Sequence, residues 1–234
     1  MEDTGATLAR ILTKVPLFSG LSDDELGFLV KHTVRRQFSP GELIFCEGDM
    51  CSGLYVVASG HVRIYKSSTA GREQVLSIEG PGSSIAELPV FDGGSYPASV
   101  VAVDQATLFF ISKQDFQALC LAHPQVALKV LRVVGARLRR LLGIIDELSF
   151  TTVRHRLASF ILRLARQEGQ RTFDGIEVRL PPNNQELASQ IGTVRELVSR
   201  NLSRLQAEGI LKIDGRTVII RDLRGLEAEL ASST

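Results

Sequence analysis

The spacing of apolar positions changes along the chain, and each change predicts a different kind of element. Residues Leu8 to His32 read as helical, with Leu17-Phe18 followed by the capping box Ser22-Asp-Asp-Glu25 ahead of Leu26, Phe28, Leu29 and Val30. Between Val34 and Ile111 the apolar runs shorten and are cut by turn residues such as Pro40-Gly41, Gly48-Asp49, Ser59-Gly60, Ala70-Gly71 and Asp92-Gly-Gly94. Regular turns between short strands predict an antiparallel roll or barrel, with the clearest strands at 43–45, 54–57, 62–65, 74–78 and 108–111.

From about Pro124 to Leu148 the period lengthens again. Ala127, Leu131, Val134, Leu138, Leu141, Ile145 and Leu148 are spaced alternately four and three residues apart, the pattern of a coiled-coil seam. Val130, Val133, Leu142 and Ile144 supply a second apolar flank to pack on the roll. A parallel pair about the seam would make a symmetric homodimer. Phe150-Thr-Thr152 is then the expected hinge, and Val153 to Gln167 the next helix.

The stretch from Gln185 to Gly209 reads as two short helices joined by a tight Gly turn. Leu187, Ala188 and Ile191 can pack against Val194, Val198, Leu202 and Leu205 of the second helix. That burial turns Glu196, Ser199, Arg200 and Ser203, with Arg195 at the helix start, onto another face where side chains can reach base edges. Arg can bond guanine bidentately and Glu can accept from a cytosine amino group. Two apolar runs, Ile210–Ile213 and Val218–Ile220, flank an Asp-Gly turn signal and predict a hairpin wing. Lys212, Arg216 and Arg221 lie in or beside that wing, where they could meet phosphates and fix the register of the reading helix. A helix pair that only packs is the plainer alternative.

Composition adds little until it is divided along the chain. The 234 residues, 44% hydrophobic, can bury a core in one or two domains. No apolar run approaches the roughly 20 residues of a membrane helix, and Met-Glu-Asp at the start has no signal-peptide character. A cytoplasmic protein with no membrane contact is expected. The net charge of +1 separates into 13 Lys/Arg against 10 Asp/Glu from Thr151 onward and 14 against 16 before it. With Glu227 and Glu229 expected in a terminal tail, the winged region is the basic end of the chain, suited to salt-dependent binding of double-stranded DNA.

On these residues the chain resembles the cyclic-AMP receptor and fumarate-nitrate regulator (CRP/FNR) family of bacterial transcription factors. Arg195-Glu-Leu-Val-Ser-Arg200 is close to the family's Arg-Glu-Thr-Val-Gly/Ser-Arg recognition pattern, and the likeness covers nearly the whole length. It implies that Arg195, Glu196 and Arg200 read a half-site of the TGTGA or TTGAT kind, and that RNA polymerase is a partner. It also implies an α+β architecture. This comprises an N-terminal antiparallel β-roll like a cyclic-nucleotide-binding jelly roll at 1–123, a long dimerisation helix and hinge at 124–150, and a C-terminal winged helix-turn-helix domain at 151–234. The seam residues for dimerisation are Leu131, Val134, Leu138, Leu141, Ile145 and Leu148.

Departures from the family bear on the effector. The resemblance places the effector site at Glu87, Leu88, Pro97, Ala98, Leu141 and Leu142. The cyclic-nucleotide branch carries Gly-Glu-Leu followed, ten residues after its Glu, by Arg and then Ser or Thr. Here Ala86-Glu87-Leu88 is followed at that distance by Pro97-Ala98, so the cation that would offset burial of a cyclic phosphate is missing. The positions matching the family's adenine-contacting Thr-Ser pair are Leu141 and Leu142, which cannot hydrogen-bond a base. Both changes argue against cyclic AMP and for an apolar or uncharged effector, or none. Some relatives hold haem beside an apolar long helix, which leaves a haem-dependent sensor of nitric oxide or carbon monoxide as an alternative, with His32, His61, His123 and His155 as the available imidazoles. A second alternative is a cyclic-nucleotide-binding-type module whose C-terminal helices bind protein. Cys46, Cys51 and Cys120 are too few for an iron–sulfur cluster, although Cys46 and Cys51 have disulfide-compatible spacing. No hydrolase elbow, phosphate-cradling Gly loop or His-Glu-x-x-His pattern is present, so no enzyme and no metal site are expected.

Overall fold

The computed structural model describes residues 8–9 and 11–231. The chain divides into two compact units, the first comprising residues up to 66 with 76–140 and the second 67–75 with 141 onward.

The first unit is built on two four-stranded antiparallel sheets. One takes the order β1-β8-β3-β6, from Thr33–Phe38, Ala106–Ser112, Gly53–Ser59 and Ser84–Ile85. The other takes β2-β7-β4-β5, from Leu43–Phe45, Ser99–Ala102, Val62–Ser67 and Glu73–Glu79. Strand β3 is buried on both faces because its side chains alternate between two cores. Tyr55 and Val57 point into the roll among Phe45, Val62, Ile85 and Leu108. Leu54 and Val56 face outward to a helical layer with Leu12, Phe18, Leu29 and Phe116. Helix α1 (Asp23–Lys31) opens on the predicted capping box, with Ser22 accepting from the Glu25 amide and Glu25 accepting from the Ser22 amide. The region read as helical from Leu8 is broken. Pro16–Phe18 form a single 3₁₀ turn, and Gly20 in the left-handed region separates it from α1.

Helix α2 (Glu87–Asp92) and helix α3 (Lys113–Ala122) precede the long helix α4 (Pro124–Phe150). Val126 and Val130 bury against the roll, with Ala127 and Val134 of the predicted seam packed partly on the same core. Leu142, expected on the roll-facing flank, is exposed instead, as are Leu131, Leu138, Leu141, Ile145 and Leu148. No single helix among the described residues is long and apolar enough to cross a membrane; α3 and α4 pass by length and composition only as a pair bent by 116°.

In the second unit, helix α5 (Val153–Glu168) starts at the Thr152 cap, immediately after the segment expected as the hinge. Helices α6 (Asn184–Ile191) and α7 (Arg195–Ala207) follow a hairpin, β9 (Gln170–Thr172) and β10 (Gly175–Arg179). The predicted wing, β11 (Leu211–Asp214) and β12 (Thr217–Ile220), joins that hairpin in one sheet of order β11-β12-β10-β9. The expected terminal tail is helix α8 (Leu223–Ala231), whose Leu226 is buried in the domain core. Glu229 pairs with Arg154, whose guanidinium also clamps Glu208, so this expected tail acid is engaged within the domain.

Candidate nucleic-acid interface and effector site

The helix-turn-helix is set by burial on one side and chain reversal in the middle. Val198, Leu202 and Leu205 of α7 bury with Leu187, Ala188 and Ile191 of α6. Between them Gly192 takes φ +67°, a conformation open to glycine at little cost, and Thr193 donates back to the Ala188 carbonyl at 3.0 Å. Asn183 caps α6 by accepting from the Glu186 amide at 2.8 Å.

That packing leaves Arg195, Glu196, Ser199, Arg200 and Ser203 exposed together on α7. Neither Arg195, Glu196 nor Arg200 is engaged in an ion pair within the described residues, so two cations and an acceptor are displayed on the first two turns. Ser199 accepts a hydrogen bond from the Asn184 amide nitrogen at 2.9 Å.

The wing residues are placed differently from each other. Lys212 is exposed and lies 3.4 Å from Asp174, a loose surface pair that a phosphate can displace. Arg216, expected to reach outward, instead folds back from the wing turn. Its Nη1 donates to Asn184 Oδ1 at 2.7 Å, and its Nε and Nη2 are buried without partners. Burial lowers its pKa from the ordinary guanidinium value, with nearby Glu186 opposing. The two-residue turn Gly215-Arg216 brings this side chain back to the start of α6, which its position in the sequence did not reveal.

Sequence reasoning missed Arg156. It is buried on α5 and makes no ion pair among the described residues, although the Glu147 carboxylate lies near enough to oppose its deprotonation, and it donates to the carbonyls of Ile191 at 2.8 Å, Thr151 at 2.6 Å, Gly192 at 3.2 Å and Glu147 at 3.3 Å. Burial lowers its pKa as well. The missed signal was an arginine within the apolar face of an amphipathic helix, Leu157-Ala-Ser-Phe-Ile161 following directly.

In the first unit, Glu87 is buried at the start of α2, after Ala86 in the left-handed region at φ +68°. Arg137 of α4 holds one Glu87 oxygen and the Ser84 carbonyl, while Glu87 Oε1 is left buried and unpartnered. One turn further along α4, Arg140 donates to Glu79 at 2.9 Å. Ala98 is buried, Leu88 and Pro97 are exposed, and the Pro97 carbonyl accepts from Lys66, itself paired with Glu47 at 2.5 Å. Leu141 and Leu142 lie on the part of α4 that belongs to the second unit, and α4 carries no His beside them. Cys46, Cys51 and Cys120 are free thiols. No cluster of three or more His, Cys, Asp or Glu residues with metal-binding geometry occurs among the described residues.

Residues 35–123 match the family profile described as cyclic nucleotide-binding domain, and residues 155–229 match the Crp-like helix-turn-helix domain. The chain is 36% identical to a protein named cyclic AMP receptor protein from Thermus thermophilus, over 91% of this chain and 95% of that protein. Among solved structures it is similar to a double-leucine mutant of CooA from Carboxydothermus hydrogenoformans, at TM-score 0.71 and 27% identity, covering 93% of this chain and 94% of that one. It is also similar to CLP, described as a c-di-GMP responsive global regulator of Xanthomonas campestris, at TM-score 0.75 and 26% identity, covering 86% of this chain and 100% of that one.

Proposed function

The chain belongs to the CRP/FNR family of transcription regulators, which are not enzymes, and from that premise we propose that it is a homodimeric, sequence-specific DNA-binding regulator controlled by an effector other than cyclic AMP. Members of the family bind DNA and dimerise. The observation that carries the reading here is the joint exposure of Arg195, Glu196, Ser199, Arg200 and Ser203 over the buried stripe Val198-Leu202-Leu205. In this reading Arg195, Glu196 and Arg200 enter a major groove and contact base edges, Ser203 completes that face, and Lys212 neutralises a phosphate. Two copies joined along Leu131, Val134, Leu138, Leu141, Ile145 and Leu148 would meet a palindromic operator with half-sites one helical turn apart. The protein acts in the cytoplasm, with RNA polymerase as a partner and no membrane contact.

The names of the relatives span cyclic AMP, c-di-GMP and CooA, so family membership alone leaves the effector open. Pro97 and Ala98 offer no cation to a phosphate, and the Glu87 neighbourhood already uses its guanidinium, Arg137, within the protein. An apolar or uncharged effector, or none, fits these groups better than a cyclic nucleotide. The resemblance to CooA keeps haem in view, but α4 supplies no imidazole beside Leu141 and Leu142. Measuring affinity for a selected operator with and without added cyclic AMP, c-di-GMP and haem tests the proposal. It expects specific binding indifferent to cyclic AMP; tenfold enhancement by cyclic AMP, or no preference for operator over random duplex, overturns it.

A further inference from the structure

We infer that Asn184, which lies off the reading helix, sets the hydrogen-bond polarity of Ser199 and thereby the kind of base that Ser199 accepts. The inference rests on the DNA-reading function proposed above and adds a determinant of its specificity.

Asn184 is the first residue of α6 and stands between the wing and the reading helix. Its Oδ1 accepts from Arg216 Nη1 at 2.7 Å, and its Nδ2 donates to Ser199 Oγ at 2.9 Å. The two ends of a carboxamide have nearly the same shape, so chemistry decides which way the group faces. A guanidinium has donors only, and the amide oxygen must therefore face Arg216. The amide nitrogen is left facing Ser199, whose hydroxyl accepts there. Arg216 is well placed to enforce this orientation because, among the described residues, Asn184 Oδ1 is its one side-chain acceptor; its Nε and Nη2 are buried with none.

The consequence falls on the serine proton. With one lone pair of Ser199 Oγ occupied by Asn184, no side chain or carbonyl among the described residues takes the hydroxyl hydrogen. Ser199 is exposed on the reading face, so that hydrogen is offered to the groove. Guanine O6 and N7, adenine N7 and thymine O4 can receive it. A cytosine amino group cannot; it could engage only the one lone pair of Ser199 Oγ that Asn184 leaves, with the hydroxyl hydrogen then left without a base acceptor. Arg216, Asn184 and Ser199 thus form a relay in which a residue of the wing biases the base chosen by a residue of the reading helix.

The test is operator selection from a randomised palindromic duplex library, using the full-length protein and the variants Ser199→Ala, Asn184→Ala, Asn184→Asp and Arg216→Ala, with thermal unfolding run alongside. Ser199→Ala is expected to flatten the preference at one base pair per half-site by roughly three- to tenfold, the worth of one hydrogen bond. Asn184→Ala and Arg216→Ala should flatten that same pair and leave the others sharp. Asn184→Asp, nearly identical in shape, cannot donate; it should capture the serine proton and move the preference toward a base presenting an amino group. An Asn184→Asp protein that folds and keeps the wild-type preference overturns the inference. So does an Arg216→Ala protein that loses affinity equally for all sequences, since that is the behaviour of a phosphate contact. Failure of the wild-type protein to enrich any palindrome would instead remove the DNA-reading function, and the wild-type arm alone reveals it.

Discussion

Arg156 Nε donates to the Ile191 carbonyl at 2.8 Å, joining the first helix of the DNA-binding domain to the last residue of the first helix-turn-helix helix. The same guanidinium reaches the carbonyls of Glu147 and Thr151 before it and Gly192 after it, so one buried cation ties together the end of α4, the start of α5 and the helix-turn-helix turn. Removing it takes these donors from the Ile191, Gly192 and Thr151 carbonyls, whereas the Glu147 carbonyl keeps the Thr151 amide and hydroxyl. Arg156→Ala is expected to lower stability by about 2–4 kcal/mol, measured by urea unfolding. Arg156→Lys should recover only a minor part, because an ammonium cannot fork to four carbonyls. A midpoint unchanged in Arg156→Ala would show that these contacts do not contribute to stability.

Gly192 sits at the turn that Arg156 grips. Its φ of +67° disfavours any side chain, and a Cβ built there would lie 2.2 Å from Leu148 Cδ2 of α4. Gly192→Ala should therefore cost about 1–2 kcal/mol from backbone strain, with a further loss unless Leu148, and Gln74 whose Oε1 would lie 2.6 Å from the same Cβ, change rotamer. Unfolding of Gly192→Ala beside Gly192→Ala/Leu148→Ala separates the two terms: partial rescue in the double variant is expected, and a neutral single variant would contradict the turn geometry.

The sequence disclosed elements whose signal is local. The capping box at Ser22 and Glu25, the strand at Leu43–Phe45, the wing and the buried stripe of α7 follow from short-range pattern, and the structure places them as expected. Strand β1 escaped notice because Val34, Arg35, Arg36 and Gln37 are exposed along it and no alternation marks a buried face. Helix α8 is hard to see in the sequence, which suggests a tail, because Glu227 and Glu229 mask Leu223, Leu226 and Leu230, which lie on one helical side. Contacts between residues far apart in sequence were beyond the reach of periodicity: Arg137 on Glu87, Arg154 on Glu229, and Arg216 turned back on Asn184 all require the tertiary fold.

Arg200 is exposed on the same face of α7 as Glu196 and makes no ion pair among the described residues, which leaves its guanidinium available for the proposed base contact. Arg200→Ala should lose about 1–3 kcal/mol of specific binding with discrimination relaxed at one position, while unfolding stays at the wild-type midpoint. Titration of operator and random duplexes checks this; an unchanged ratio between them would remove Arg200 from base reading.

Burial pushes the Cys120 thiol up to about 11. A raised folded pKa means that the protonated thiol is favoured in the native state, so this contribution is whole below the unfolded thiol value of about 8.5 and is lost as pH climbs through about 11. Alkylation of the native protein at pH 8 should modify the half-buried Cys46 and Cys51 well before Cys120. Peptide mapping after timed labelling reads the order, and equal labelling of all three would show Cys120 to be open to solvent.

The exposed stripe of α4 gives the clearest test of assembly. Leu131, Leu138 and Ile145 are 66%, 57% and 55% exposed and recur at seven-residue intervals, an arrangement that leaves apolar area uncovered in a single chain. Val134, by contrast, already packs partly on the roll, so the outer stripe rather than the whole seven-residue seam is what a second copy would cover. Leu138→Glu places two like charges face to face in a parallel pair and should dissociate the dimer, whereas in the isolated chain the same side chain stands in water and costs little. Sedimentation is expected to show dimer for the wild type and monomer for Leu138→Glu at the same unfolding temperature, with operator affinity falling by orders of magnitude because each half-site is then bound alone. A Leu138→Glu protein that remains dimeric would place the subunit interface elsewhere.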